Sequence, residues 1–348
     1  MSQKVNDRKR YDGLDFAKFL CAFMVIAIHV TYFGKEYIDS LATLAVPVFF
    51  MITGFFYSST QKSNREGTQI KKVAGLFLFS NLLYFVWKIF KCILLHESIA
   101  DYLHSLRSLK LWIDFMVFNE SMFSGHLWYL GALLYVLVII LLVDKYSDRK
   151  KLYKVIPLLL AINLIFGSYS ILTVEVRLPH TWTRNFLFCG LPFFLLGDAA
   201  REKAGKATNG QYVAVAVASA VIIIAETVFL RSTGDLFNGD FFAGTSFLAY
   251  SLFALFLKNR RISDVPLLYS IAQLGRHTST ITYIIHPIVI LIVVKTIEFL
   301  GVYVPYLSTV YFYTAPLVIL ILCTLFTCLY NEIIKKLRSC FSCEHTAI

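Results

Sequence analysis

Charge is scarce in this chain. Of its 348 residues only 16% are Asp, Glu, Lys or Arg, while 57% are hydrophobic and mean hydropathy reaches +0.66. Such values exclude a soluble globular protein of this length and indicate a polytopic membrane protein. Also missing are the short motifs of several enzyme classes: there is no GxSxG elbow, no Walker loop, no HExxH and no GxGxxG after a strand. Nucleotide hydrolysis and zinc hydrolysis are therefore set aside, and no metal site is expected. Internal repeats, low-complexity tracts and linkers are absent as well, so residues 1–348 are expected to form a single domain with no soluble domain appended. Seven cysteines are present but scattered, and Cys21, Cys189, Cys323 and Cys328 lie inside apolar runs. No disulfide framework is expected from them, and the Cys340 and Cys343 pair is only half of a tetrahedral zinc site.

The basic excess follows the apolar runs. The formal charge of +11 gathers at Lys4 to Arg10, Lys62 to Lys72, Lys145 to Lys154, Arg201 to Lys206, Lys258 to Arg261 and Lys335 to Arg338. Each cluster flanks an apolar run, as the positive-inside rule expects of cytoplasmic loops, so the charge reads as topology and no nucleic-acid partner is implied. A helix needs roughly 20 apolar residues to cross the hydrocarbon. On that criterion spans fall near 14–33, 42–59, 73–94, 127–143, 155–173, 185–200, 211–230, 241–257, 278–297 and 309–334. The reading is an all-α protein of about ten transmembrane helices with both termini cytoplasmic, the basic N-terminal segment preceding a retained first helix. Residues 95–126 carry Ile99, Leu103, Leu106, Leu109 and Ile113 at helical spacing among charges, which predicts an amphipathic helix on the outer surface. Residues 262–277 predict a short interfacial helix.

Ionisable groups at membrane depth are costly, and they mark where function should be sought. The first span holds Asp15, Lys18 and His29. Lys18 and His29 are eleven positions apart, about three full turns, so they share one face at a separation of about 16 Å along the axis. Asp15 stands one turn from Lys18 and can pair with it. Taken alone, Lys18 can equally snorkel to the interface and His29 can be an interfacial histidine satisfied by a carbonyl. Together they place a cation at the cytosolic end and an acid/base group deep on the same face, which suits an enzyme holding a long anionic donor by its head and reacting at its tail. In the second span Pro47 and Gly54 mark a kink and a close helix approach. His126, beside Trp128 and Tyr129, opens the fourth span at a depth comparable with His29. His286 precedes Pro287, where proline releases a backbone carbonyl that a histidine can satisfy. Glu226 is a further intramembrane acid without an evident partner in sequence.

The stretch Asp15, Lys18, His29 resembles the signature of the membrane acyltransferase 3 family, in which the first span carries Asp, then Arg or Lys three residues on, then ten residues, then His. VPVFFMITGFF at 46–56, GHLWYLGALLY at 125–135 and TITYIIHP at 280–287 resemble the same family, and TRNFLFCGLPFFLLG at 183–197 is similar to its Gram-positive branch, which includes the membrane part of the VanT serine racemases. The resemblance covers most of the ten spans. Lysine at position 18 departs from the commoner arginine, keeping the charge and losing bidentate geometry.

The resemblance implies transfer of an acyl group, usually acetyl, from cytosolic acyl-CoA to a hydroxyl of a cell-envelope glycan or related acceptor, in a bacterial plasma membrane. Lys18, with Lys71, Lys72, Arg260, Arg261 and Arg276, would hold the CoA phosphates. His29 would act as general base, and His126 would orient the acceptor or stabilise the oxyanion, with an acyl-histidine relay as a further route. Asp15 and His286 would support these groups. The HxxxxD spacing from His96 to Asp101, seen in glycerolipid acyltransferases, falls on the outer segment away from cytosolic acyl-CoA and reads as chance. A transporter or binding module for a glycan or small amino acid on the same fold is the competing reading, because a family resemblance fixes fold before function. Against it, no repeated pair of Gly/Pro-broken spans is evident.

Overall fold

The structure, a computed structural model, describes residues 11–232, 241–259, 262–304 and 306–344. The expected cytoplasmic arginines Arg260 and Arg261, and the first basic cluster, lie outside the described residues. Every regular element among the described residues is helical. In chain order they are α1 (Asp12–His29), α2 (Lys35–Ala42), α3 (Ala45–Lys62), α4 (Glu66–Leu94), α5 (Ile99–Ser105), α6 (Leu109–Val117), α7 (Trp128–Tyr146), α8 (Ile156–Phe166), α9 (Ser170–Val174), α10 (Leu191–Lys203), α11 (Asn209–Ser232), α12 (Ala243–Lys258), α13 (Pro266–Gly301) and α14 (Tyr306–Glu344). A π-helical turn at Phe186–Gly190 leads into α10.

Among the described residues six helical stretches are long and apolar enough to cross a membrane: Lys35–Lys62, Glu66–Leu94, Gly125–Tyr146, Asn209–Ser232, Pro266–Gly301 and Tyr306–Leu337. The protein is therefore a multi-pass membrane protein. The other four expected spans coincide with helices that are shorter or carry more charge, namely α1 with Asp12, Asp15 and Lys18, α8 with α9, the π-turn with α10, and α12. One expectation is corrected at α13. From Pro266 onward the predicted interfacial helix at 262–277 and the following span are one continuous helix of 36 residues. At 1.5 Å per residue it is about 54 Å long, well beyond the roughly 30 Å of hydrocarbon, so its first turns project from the apolar layer.

The chain divides into two compact units, residues 1–45 with 255–348, and residues 46–254. In the first unit α1 and α13 run parallel, since Gly275 meets Asp15 and Phe19 near their starts while His286 meets His29 further along. A Cβ on Gly275 would fall 2.1 Å from the Asp15 carbonyl oxygen, so only glycine lets these backbones touch. Ile26, Ala27, Val30 and Tyr32 pack with Ala315, Ile319, Leu320 and Cys323 of α14 in a buried apolar cluster.

In the second unit α3 and α10 meet at the expected Gly54 and at Gly197. Their added Cβ atoms would lie 2.0 Å from the carbonyl oxygens of Phe194 and Met51 respectively. The segment 95–126 departs from the expected outer amphipathic helix. It forms two short helices, broken at Leu106–Ser108, and folds back along α4. The Phe115 ring stacks on Phe77 at 6.0 Å, and the Ser121 hydroxyl donates to Asn81 at 2.9 Å. Lys72 and Lys88 bracket about 24 Å of α4, and Phe77 and Asn81 lie between them. An irregular backbone at that level of a candidate span is tolerated only when its polar groups are met internally. Here Asn119, at φ 54°, accepts from the Phe186 N–H at 2.9 Å and donates to the Trp128 carbonyl at 3.2 Å. The Ser121 hydroxyl accepts from the N–H groups of Phe123 and Ser124. Hydrophobic spacing finds the apolar stripe of such a segment but not the element it lies against.

Candidate functional site

In the first unit the residues of the opening run are held by α13 and by the turn after α1. Lys18 donates to Asp15 at 2.7 Å, an i,i+3 pair that is only partly exposed. The acids Asp12 and Asp15 occupy the first turn of α1, where the helix dipole favours negative charge. Arg276, next to Gly275, is exposed on α13.

His29 is the last residue of α1, and its side chain is exposed. Its ring centroid lies 5.0 Å from that of His286, which is fully buried. Pro287 has no N–H to give the carbonyl of Tyr283, four residues back. Nδ1 of His286 donates to that carbonyl instead, at 2.8 Å. A carbonyl only accepts, so the proton on Nδ1 is set by its partner, and the neutral ring then carries its lone pair on Nε2.

The C-terminal end of α1 is closed by a residue absent from the sequence-based set. Lys35 donates to the carbonyls of Ala27 at 3.2 Å and Ile28 at 2.5 Å and pairs with Asp39 at 2.9 Å. A cation here meets carbonyls that the last helical turn leaves without intrahelical donors. The signal in sequence is only a lone lysine a few residues beyond the end of an apolar run.

In the second unit His126 is buried in the turn before α7. Its Nδ1 shares a hydrogen bond of 2.8 Å with the Ser124 hydroxyl, and the Tyr84 ring stands edge-on to it at 4.9 Å. Neighbouring Trp128 carries the Arg184 guanidinium 5.5 Å above its ring. Ser124, Tyr84 and Arg184 are polar or aromatic partners that the sequence did not single out. Lys71 and Lys72 are exposed on the first turns of α4. The structure thus brings together Asp15 with Lys18 and His29 with His286, whereas His126, Lys71 and Lys72 belong to the other unit.

A second polar centre of that unit was hidden inside a basic loop. Arg149, 9% exposed, donates through Nε to Asp198 at 2.8 Å and through Nη1 to Asp144 at 2.7 Å and Gln61 at 2.8 Å. Nη2 reaches Ser58 at 2.7 Å and Asp198 at 3.3 Å. Tyr153 donates to Asp198 at 2.7 Å. Burial works against the Arg149 charge, but its hydrogen bonds and attraction to Asp198, then Asp144, hold its pKa above the ordinary value. Burial, then the hydrogen bond to Asp198, pushes the Tyr153 hydroxyl up. All the guanidinium's nitrogens are engaged, so this centre ties the C-terminal parts of α3 and α7 to the middle of α10 rather than offering a ligand site. Glu226 also finds partners, accepting from the Tyr169 hydroxyl and from the Ala243 N–H at the start of α12.

Residues 11–329 match a family described as an acyltransferase domain, acyltransferase 3. Two curated relatives, both amino-acid racemases of Enterococcus faecalis, are each 26% identical to the chain. One match covers 317 residues, 82% of this chain and 42% of the relative. The other covers 224 residues, 59% of this chain and 30% of the relative. The chain therefore spans less than half the length of either. No solved structure matches it.

Proposed function

The chain belongs to the acyltransferase 3 family, and from that premise we propose that it is an acyl-CoA-dependent O-acyltransferase, moving an acetyl group to a hydroxyl of a cell-envelope glycan or related acceptor. The family match over residues 11–329 carries this reading. The proposed setting is a bacterial plasma membrane crossed about ten times, with both termini cytoplasmic, the orientation favoured by the basic clusters.

In this proposal Lys18 and the basic residues Lys71, Lys72, Arg260, Arg261 and Arg276 hold the phosphates of the donor, with Asp15 as the partner of Lys18 in the absence of donor. His29 takes the proton of the acceptor hydroxyl as its oxygen bonds to the thioester carbonyl carbon. The carbon–sulfur bond then breaks, and CoA leaves as a thiolate that recovers the proton from His29. His126 stabilises the oxyanion or orients the acceptor.

The alternative is a transporter or binding module for a glycan or small amino acid. Both relatives are named for a reaction on amino acids, so a small amino acid is the ligand this alternative would take. Purified protein given radiolabelled acetyl-CoA, with and without envelope glycan, separates the two. Consumption of thioester with label on the glycan is expected, and His29→Ala should lower it by on the order of 10²-fold while donor binding stays intact. Solute movement with no acyl product would overturn the enzymatic reading.

A further inference from the structure

His286 enters the acyl-transfer reading only as a supporting residue, and its surroundings say more. It is fully buried, it is 257 positions from His29 in sequence, and its ring stands 5.0 Å from that of His29 with 39° between the planes. The Nδ1 bond to the Tyr283 carbonyl, left unmet by Pro287, fixes both ring orientation and tautomer. A nitrogen lone pair thus stays on the edge of His286 away from its own helix backbone, in a ring whose neighbour is the exposed imidazole at the end of α1. Close by, Lys35 is engaged by the Ala27 and Ile28 carbonyls and Asp39. Tyr32, Tyr283 and Tyr311, all phenols, are titratable groups packed nearby. Glu36 on α2 and Tyr313 on α14 are exposed.

We propose that His286 is the positioning residue for His29: as the acceptor hydroxyl approaches, Nε2 of His286 accepts an N–H of the His29 ring, a bond the two rings at 5.0 Å do not make at rest, and so presents the other His29 nitrogen, lone pair outward, to that hydroxyl. The inference rests on the acyl-transfer reading for its purpose, though not for its geometry. It repeats with two imidazoles the logic by which a third group orients a catalytic histidine. Pro287 becomes part of the device: by withholding its N–H it supplies the carbonyl that locks His286.

Two substitutions divide the structural role from the positioning role. His286→Asn keeps an amide donor where Nδ1 stands and removes the acceptor at Nε2. His286→Gln places an amide oxygen near the position of Nε2. The His29 ring is probed directly by its rate of carbethoxylation with diethyl pyrocarbonate, read by mass spectrometry on purified wild type and both variants, with acyl transfer from labelled acetyl-CoA measured in parallel. The expected result is that His286→Asn folds and binds donor as wild type does, but slows His29 modification and kcat by on the order of tenfold, with His286→Gln recovering part of both. Equal His29 reactivity in all three proteins would overturn the positioning role. A wild type that transfers no acyl group, with His29 reactivity still dependent on His286, would remove the enzymatic reading and leave the paired imidazoles standing.

Discussion

Gly275 and Asp15 meet backbone to backbone, a Cβ on the glycine falling 2.1 Å from the aspartate's carbonyl oxygen. This contact sets the spacing of α1 and α13 at the level of the Asp15–Lys18 pair, eleven residues below the His286 ring along α13.

Replacing Gly275 by alanine should therefore force the two helices apart. Overpacking of this kind costs typically about 1–3 kcal/mol, and backbone has less freedom to yield than a side chain. Gly67, in the first turn of α4, has no atom within 4 Å of its added Cβ. Gly67→Ala should be neutral or slightly stabilising, by up to about 1 kcal/mol. Thermal unfolding of the two variants in detergent checks the difference, and equal midpoints would show that the helices adjust freely.

Arg149 bears on the stability of the other unit. Arg149→Ala would leave Asp198, 4% exposed, and Asp144 without their cation, a loss of about 3–5 kcal/mol for a broken buried pair. Arg149→Lys keeps the charge but cannot reach Asp198, Asp144, Gln61 and Ser58 together, so it should recover only part of the loss. Adding Asp198→Asn to Arg149→Ala should restore some stability, because it removes one stranded carboxylate. Chemical denaturation of these variants and of Asp198→Asn alone measures this, and strict additivity of the two single changes would contradict a coupled centre.

Much of this arrangement was legible wherever the physics is local. Asp15 and Lys18 lie one helical turn apart, and Pro287 releases a carbonyl within four residues of itself, so both contacts follow from chain geometry alone. Helix positions were equally plain, because a long apolar run has few other ways to satisfy its backbone in lipid. The pairing of His29 with His286 was not legible, since spacing within a span says nothing of which distant span lies beside it. Arg149 was masked for a different reason: in a loop already rich in cations, nothing in the sequence distinguishes a buried guanidinium from a solvated one. The path of residues 95–126 was misread because Phe77, Asn81 and Tyr84, which receive it, look like ordinary members of an apolar span.

Topology offers a prediction independent of chemistry. Cysteines placed at Arg65 and Lys151, both exposed and both in basic connections, should resist an impermeant thiol reagent in intact cells and react after permeabilisation. A cysteine at Leu95, exposed at the C-terminal end of α4, lies at the opposite end of that helix from Arg65 and serves as the contrast. Ready labelling at 65 or 151 from outside would overturn the proposed orientation.

The last prediction concerns the Asp15–Lys18 pair. If Lys18 holds a donor phosphate, the 2.7 Å bond to Asp15 is a resting arrangement that the phosphate must share or displace. A charge-assisted hydrogen bond contributes about 1.5–3 kcal/mol, so Lys18→Ala should weaken acyl-CoA binding by on the order of 10- to 100-fold. Lys18→Arg should largely preserve affinity, because the cation remains and a planar fork suits phosphate at least as well. Asp15→Asn separates two roles for the carboxylate. Should it only compete for Lys18, affinity will rise; should it orient the ammonium toward the donor, affinity will fall although the cation is still present. The pairing is partly exposed and local to one helix, so none of the three variants is expected to alter the α1–α13 contact at Gly275. Isothermal titration with acyl-CoA reads all three variants, and unchanged affinity in Lys18→Ala would return that lysine to the interface as a snorkelling side chain.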